Sequence, residues 1–131
     1  MNILITGCSG FIGFHLCKSL LEKKHKVLGL DNLNGYYSVK LKKKRLSLLK
    51  KKKNFKFFKI DISDYNKLNL IFKKNKINLI INLAAQAGVR YSVMHPKEYM
   101  DSNILGLFNV FEMARIYNVS KVLYASSSSV Y

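Results

Sequence analysis

The chain has 131 residues, 49% of them hydrophobic, which is enough for one domain with a buried core and too few for two. No apolar stretch reaches the roughly 18 uninterrupted residues of a membrane span, so we expect no membrane partner. The net charge of +16 comes almost entirely from lysine, and charge without arginine clusters is better explained by biased codon usage than by a nucleic-acid partner.

Short apolar runs alternate along the chain with longer segments of helical period. The predicted strands are residues 2–6, 26–30, 55–60, 79–83 and 121–125, and the predicted helices are residues 11–23, 39–51, 64–74 and 96–117. Strands that are apolar on both faces are typical of a parallel sheet covered by helices on both sides. We therefore predict an α/β fold, a Rossmann-type doubly wound parallel sheet of strand order 3-2-1-4-5 that is truncated after strand five.

Local signals support the helix assignments. Asp64 is a predicted N-cap, and Pro96 is expected in a first helical turn, where its missing N–H is tolerated. Residues 40–53 alternate lysines with leucines, which predicts an amphipathic helix with a solvated lysine face. In the last helix the apolar residues at helical spacing are predicted to form a buried stripe: Tyr99, Met100, Ile104, Leu107, Phe108, Phe111 and Met113.

The amino-terminal segment and the cysteines favour a cytoplasmic protein. Residues 1–7 are a short apolar run with no basic region before it, unlike a secretion signal. Cys8 and Cys17 fall in a predicted turn and helix, where a small buried thiol is typical, and we expect both to be reduced. We expect no metal site.

The first strand leads into a glycine-rich turn and then into a helix. Gly7 allows a tight turn, Gly10 allows close approach of a pyrophosphate, and Gly13 allows the helix to pack on the strand. The free N–H groups of the first helical turn, which includes Phe11 and Ile12, would hold the phosphates. The alternative is a turn that serves helix packing alone.

Asp31 at the end of the second strand favours the dinucleotide interpretation. A carboxylate at this point accepts the ribose hydroxyls of the adenosine half. Asn32 follows it and no arginine stands beside it to receive a 2′-phosphate, which predicts NAD rather than NADP. The lysines from Lys40 onward are the feature that could weaken this preference.

Three further segments are candidates for cofactor contacts. Asp61 and Ile62 follow the third strand and are suited to an adenine edge and face, although Asp61 could instead cap a turn. The segment that leaves the fourth strand, where open α/β sheets bind ligands, is rich in small residues, and its candidates are Leu83, Ala84 and Ala85. Asn103 is either a cofactor contact or a satisfied buried amide.

These motifs together resemble the NAD-dependent epimerase/dehydratase family of extended short-chain dehydrogenase/reductases, over essentially the whole chain. Residues 31–39, 83–92 and 124–131 are most similar to UDP-glucuronate 4-epimerases, including capsule-biosynthesis enzymes. The resemblance implies NAD as cofactor, a UDP-sugar as substrate and a homodimeric full-length parent.

The resemblance also implies substrate contacts. Ser127 would hydrogen-bond the reacting sugar hydroxyl, with Ser128 and Ser129 nearby, although the serine run could instead be a polar strand end. Arg90 would hold a substrate carboxylate through charge-assisted hydrogen bonds, or it could be a surface cation.

The family's catalytic Y-x-x-x-K motif has no counterpart in this sequence. Tyr131 does not match its tyrosine, and the Y-x-x-x-K spelled from Tyr36 to Lys40 lies after strand two, at the adenosine end, so we reject it as catalytic. We expect the chain to be inactive alone and to be the binding part of a UDP-glucuronate 4-epimerase. UDP-glucose 4-epimerase, UDP-glucuronate decarboxylase, a sugar-nucleotide 4,6-dehydratase and a non-catalytic dinucleotide-binding module are the alternatives.

Overall fold

The computed structural model describes residues 1–130, and Tyr131 lies outside the described residues. Its five strands form one sheet and are β1 (Asn2–Thr6), β2 (Lys26–Asp31), β3 (Phe55–Lys59), β4 (Leu79–Asn82) and β5 (Val122–Tyr124). Every pairing is parallel, and the order is β3-β2-β1-β4-β5. The predicted topology is confirmed.

Helices connect the strands. They are α1 (Phe11–Glu22), α2 (Val39–Lys50), α3 (Tyr65–Lys74), α4 (Val89–Met94), α5 (Pro96–Tyr99), a π-helix (Met100–Gly106), α6 (Leu107–Ile116) and a 3₁₀ turn (Ser128–Val130). The two boundary predictions are confirmed, because the Asp64 carboxylate accepts from the Lys67 N–H at 3.1 Å and Pro96 is the first residue of α5. Helix α4 was not predicted. It has only six residues and none of them is buried, so its sequence has no apolar repeat at helical spacing that could reveal it. No helix within residues 1–130 is long and apolar enough to span a bilayer.

The core lies on both faces of the sheet. On one face Leu4 and Leu28 pack with residues of α3 and α6, and on the other Ile3 and Ile5 pack with residues of α1 and α2. This alternation follows from the strand geometry, in which successive side chains point to opposite faces. Cys8 and Cys17 are both buried, and neither forms a disulfide. Burial raises the pKa of the Cys17 thiol to about 12, so this thiol stays protonated at neutral pH.

The predicted buried stripe of the last helix is wrong for most of its members. Met100, Ile104 and Phe108 are each more than half exposed, and Phe111 is exposed as well. Of the predicted stripe only Met113 is fully buried, and the other buried residues are Gly106 at the end of the π-helix and Asn109, Val110 and Ala114 in α6. The i→i+5 hydrogen bonding of a π-helix changes the number of residues per turn, so a stripe drawn at 3.6 residues per turn continues onto the wrong face.

Candidate functional site

A cavity of about 290 Å³ opens at the carboxyl edge of the sheet. It is lined by residues at the carboxyl ends of β1, β2 and β4 and in the segment that follows β3. Most of the predicted cofactor residues line it, namely Gly7, Gly10, Asp31, Asn32, Asp61, Ile62, Leu83, Ala84 and Ala85. The others lie beside it: Phe11, Ile12 and Gly13 in the first turn of α1, and Asn103 in the π-helix. A parallel sheet brings these separate segments together because all its carboxyl ends share one edge.

The glycine turn has the close contacts that its spacing predicts. Gly7 has a φ of +69°, and a Cβ there would lie 3.0 Å from the Ala84 nitrogen across the cavity. A Cβ on Gly13 would collide with the carbonyl oxygen of Gly7, so only glycine lets α1 begin this close to the turn. No side chain caps the start of α1 at Gly10, which leaves the first N–H groups of the helix free for an anion.

The carboxylate of Asp31 is buried and held in place by backbone donors. Its Oδ2 accepts from the Ser9 N–H at 3.0 Å, and its Oδ1 accepts from the Leu33 N–H at 2.8 Å. The first bond joins the end of β2 to the glycine turn. The acid is therefore fixed beside the glycine turn, in the position that the predicted ribose contact requires.

Asp61 both caps a turn and lines the cavity, so its two interpretations are compatible. Its Oδ1 accepts from the N–H and hydroxyl of Ser63, at 2.9 and 2.7 Å, and its Oδ2 accepts from the Asn32 amide at 2.8 Å. Burial alone would raise the pKa of this carboxyl, but the hydrogen bonds from Ser63 and Asn32 outweigh burial and lower it. Asp61 is therefore an ionised acceptor at neutral pH.

The loop after β4 is fixed at both ends. Its first residues, Leu83 and Ala84, donate their N–H groups to the Thr6 hydroxyl at 3.1 and 3.0 Å. Farther on, the Asn103 amide accepts from the Gln86 N–H at 2.7 Å and donates to the Gln86 carbonyl at 2.9 Å. The contacts of Asn103 in the structure are thus those of a satisfied amide that positions the loop, and its contact with a cofactor stays a prediction.

The predicted substrate residues lie outside the cavity. Ser127, Ser128 and Ser129 are exposed and follow β5, which places them at the same edge of the sheet as the cavity. The Ser127 hydroxyl accepts from the Ser129 N–H at 3.1 Å. Arg90 is exposed on α4. The structure does not bring Arg90 and the serines together, and their roles toward a substrate stay predictions.

A sequence model of the family described as GDP-mannose 4,6 dehydratase matches residues 4–131. The chain belongs to this family. Its members include the NAD-dependent sugar-nucleotide epimerases and dehydratases, so the resemblance drawn from the glycine turn, Asp31 and the later motifs is confirmed.

Two curated proteins are similar to this chain at about the same level of sequence identity. Protein CapI of Staphylococcus aureus is 50% identical over 131 residues, which is all of this chain and 39% of CapI. The UDP-glucuronate 4-epimerase of Thermodesulfobacterium geofontis is 48% identical over 98% of this chain and 40% of its own length. The chain therefore spans about two fifths of the length of the curated relatives it matches.

Solved structures give the same family assignment. The UDP-glucuronic acid 4-epimerase of Bacillus cereus, crystallised with UDP-glucuronic acid and NAD, superposes with a TM-score of 0.86 at 34% identity, covering all of this chain and 41% of that one. The UDP-Glc/GlcNAc 4-epimerase of Campylobacter jejuni superposes with a TM-score of 0.86 at 30% identity, covering 98% of this chain and 37% of that one.

Among the cavity side chains that the sequence analysis did not assign to the site, two are buried and polar. Lys42 was assigned to a solvated face, but it is 5% exposed and lines the cavity. Its burial was detectable, because it lies four residues before Leu46 and seven before Leu49, on the buried face of α2. Gln86 is also buried, and within residues 1–130 its Nε2 has no hydrogen-bond partner. No local signal distinguishes it from a surface glutamine.

Proposed function

We propose that this chain is the NAD-binding portion of a sugar-nucleotide epimerase, specifically a UDP-glucuronate 4-epimerase. The observation that carries the proposal is the position of the buried Asp31 carboxylate, hydrogen-bonded to the glycine turn at the mouth of the cavity. The adenosine half of NAD presents a ribose diol next to a pyrophosphate. The diol needs a hydrogen-bond acceptor and the pyrophosphate needs free backbone N–H donors, and this site offers the two side by side. The identity to curated UDP-glucuronate 4-epimerases supports the choice of reaction.

The cavity residues divide between the parts of the dinucleotide. Gly7, Gly10 and Gly13 give the pyrophosphate access to the N–H groups at the start of α1, and Phe11 and Ile12 contribute to that turn. Asp31 and Asn32 bind the adenosine ribose, and Asp61 and Ile62 bind the adenine edge and face. Beyond the pyrophosphate, the small residues Ala84 and Ala85 leave space for the rest of the cofactor, which Leu83 and Asn103 border.

When bound, NAD would accept a hydride from C4 of the sugar and later return it. The chain's own residues bind and orient. Ser127 hydrogen-bonds the hydroxyl that loses its proton, Ser128 and Ser129 contact the sugar, and Arg90 pairs with the C6 carboxylate. The proton itself passes to the tyrosine of a Y-x-x-x-K pair, a motif that no segment of this sequence matches at the family's position.

The parent protein is proposed to be a cytoplasmic homodimer that acts in polysaccharide biosynthesis. Met100, Ile104 and Phe108 recur at four-residue spacing and are each more than half exposed, which supports a packing partner for this part of the surface. No nucleic-acid or membrane partner is proposed, and no group of three or more metal-ligating side chains occurs within residues 1–130.

The test uses the full-length product of the reading frame that carries this chain. NADH binding is measured by fluorescence titration, and epimerisation by separating UDP-glucuronate from UDP-galacturonate. Asp31→Asn should weaken NADH binding by about tenfold or more, because it removes a charged acceptor. Glu22→Gln, the same change of charge at an exposed residue of α1, should leave binding unchanged.

Two outcomes would select the alternatives. Tight NADH binding without turnover of any UDP-sugar would favour a non-catalytic dinucleotide-binding module. Turnover of UDP-glucose in preference to UDP-glucuronate would favour a UDP-glucose 4-epimerase. Absence of NADH binding would overturn the proposed function altogether.

A further inference from the structure

A lysine ammonium is buried beside the carboxylate that we assign to the ribose. Lys42 Nζ donates to the Asn34 carbonyl at 3.2 Å and to the Asn34 Oδ1 at 3.0 Å. It lies 4.0 Å from Asp31 Oδ1, which is an ion pair without a hydrogen bond. An ammonium has three donors, and within residues 1–130 its hydrogen bonds engage only the oxygens of Asn34. Two of its three donors are therefore engaged, and Lys42 lines the cavity.

A second cation borders the same turn. Arg45 Nη1 donates to the Ser9 carbonyl at 3.3 Å and to the Tyr37 hydroxyl at 3.1 Å. Ser9 is also the residue whose N–H holds Asp31. The Tyr37 ring in turn lies 4.8 Å from the Lys42 ammonium. Lys42 thus lies beside the carboxylate at the end of β2, and Arg45 binds the residue that holds that carboxylate. Both cations come from α2 rather than from the residues that directly follow Asp31 in the chain.

This arrangement changes the usual basis of coenzyme choice. An acidic residue at the end of the second strand favours NAD because its charge repels the 2′-phosphate of NADP. A nearby buried cation offsets that repulsion, and its free donor can make a charge-assisted hydrogen bond to a phosphate oxygen. In this site Asp31 does not act as an isolated negative charge.

We propose that Lys42 is a specificity residue for the coenzyme, and that it makes the site accept NADP(H) alongside NAD(H). The inference rests on the proposed function, since it assigns a further residue to the same dinucleotide site. Asp31 receives the ribose diol of NAD, and Lys42 pairs with the 2′-phosphate of NADP, with Arg45 adding to the local positive potential.

The experiment measures dissociation constants for NADH and NADPH by fluorescence titration of the full-length protein. In the unmodified protein the two constants should agree within about tenfold. Lys42→Met should weaken NADPH binding by roughly tenfold or more and change NADH binding by less than about threefold. Lys42→Arg keeps the charge and should retain NADPH binding. Lys43→Met removes a lysine from the exposed face of the same helix and should alter neither constant.

A second measurement needs no variant and stays informative if Lys42→Met does not fold. Adenosine 2′,5′-bisphosphate and AMP compete with NADH for the unmodified protein, and the bisphosphate should displace NADH at least as well. Weaker displacement by the bisphosphate, or equal losses of NADH and NADPH binding in Lys42→Met, would overturn the assignment and leave the dinucleotide site intact. If neither NADH nor NADPH binds, the proposed function and the inference are overturned together.

Discussion

The hydroxyl of Thr6 donates to the Oδ1 of Asn82 at 2.7 Å, joining two buried side chains at the ends of β1 and β4. The same hydroxyl oxygen accepts from the N–H groups of Leu83 and Ala84. One side chain therefore fixes the distance between the strand that enters the glycine turn and the loop that lines the opposite wall of the cavity.

Replacing Thr6 by valine should destabilise the fold. Valine keeps the shape but leaves the buried Asn82 amide and two part-buried loop N–H groups without their partner. An unsatisfied buried polar group is unfavourable by about 1–3 kcal/mol, whereas the part-buried N–H groups can recover much of their loss by bonding to water. We expect a loss of about 2–3 kcal/mol in the free energy of unfolding, measured by urea denaturation. Ser47→Ala, at an exposed hydroxyl of α2, should change it by less than about 0.5 kcal/mol. A Thr6→Val protein as stable as the unmodified one would contradict this account.

Gly13 and Gly35 form a matched pair for a test of the glycine turn. Gly13→Ala should destabilise the protein by about 1–3 kcal/mol, because the new methyl group collides with the Gly7 carbonyl and pushes α1 away from the turn. Gly35→Ala should be neutral or stabilising by up to about 1 kcal/mol, since a Cβ there has no neighbour within 4 Å. Thermal melts of both variants, with NADH titrations, check the prediction. Equal effects at the two positions would refute it.

The lowered pKa of Asp61 predicts a stability contribution that depends on pH. A carboxyl with a depressed folded-state pKa stabilises the fold fully above its unfolded value, about 3.9, and loses that contribution as the pH falls through the folded value. The stability difference between the unmodified protein and Asp61→Asn should therefore be constant from pH 7 down to about 5 and shrink below about 4. Urea denaturation between pH 3 and pH 7 measures it.

Ser63→Ala provides the control for this pH dependence. It removes one of the two Ser63 donors to the Asp61 carboxylate, so the folded pKa should rise toward the unfolded value. Replacement of Asp61 in the Ser63→Ala background should then give a smaller pH-dependent difference. A difference that grows as the solution becomes more acidic would have the wrong sign for this mechanism.

The proposed role of Arg90 predicts a change in reaction outcome. Oxidation of UDP-glucuronate at C4 gives a β-keto acid, which readily loses carbon dioxide when its C5–C6 bond stands perpendicular to the plane of the ketone. An epimerase must therefore hold the carboxylate away from that orientation. Arg90→Ala in the full-length protein should raise the ratio of decarboxylated to epimerised product by about tenfold, since it removes a charge-assisted hydrogen bond. Chromatography of the UDP-sugar products measures the ratio. Arg115→Ala, at an exposed arginine paired with Glu112 on α6, is the control. An unchanged product ratio in Arg90→Ala would contradict the proposed role of Arg90.

The sheet and most of the cavity were predictable because their signals are local. Strand runs, the Asp64 cap and the glycine spacing each depend on a few neighbouring residues, and parallel topology then brings Asp31, Asp61 and Ala84 to one edge. Helix α4 escaped detection because no buried side chain marks a period in it. The Thr6–Asn82 bond joins residues 76 positions apart, and the pairing of Lys42 with Asp31 depends on how α2 packs. Such contacts exist only in the assembled fold.

The π-helix has a consequence for the geometry of the whole cavity wall. Asn103 inside it must face the β4 loop to hold Gln86, while Val110 and Met113 beyond it must face the sheet. A helix of uniform pitch through this region would satisfy one of these orientations and miss the other. Removal of Ile104 or Leu105 would thus turn Asn103 relative to the sheet and shift the loop after β4, although neither residue lines the cavity.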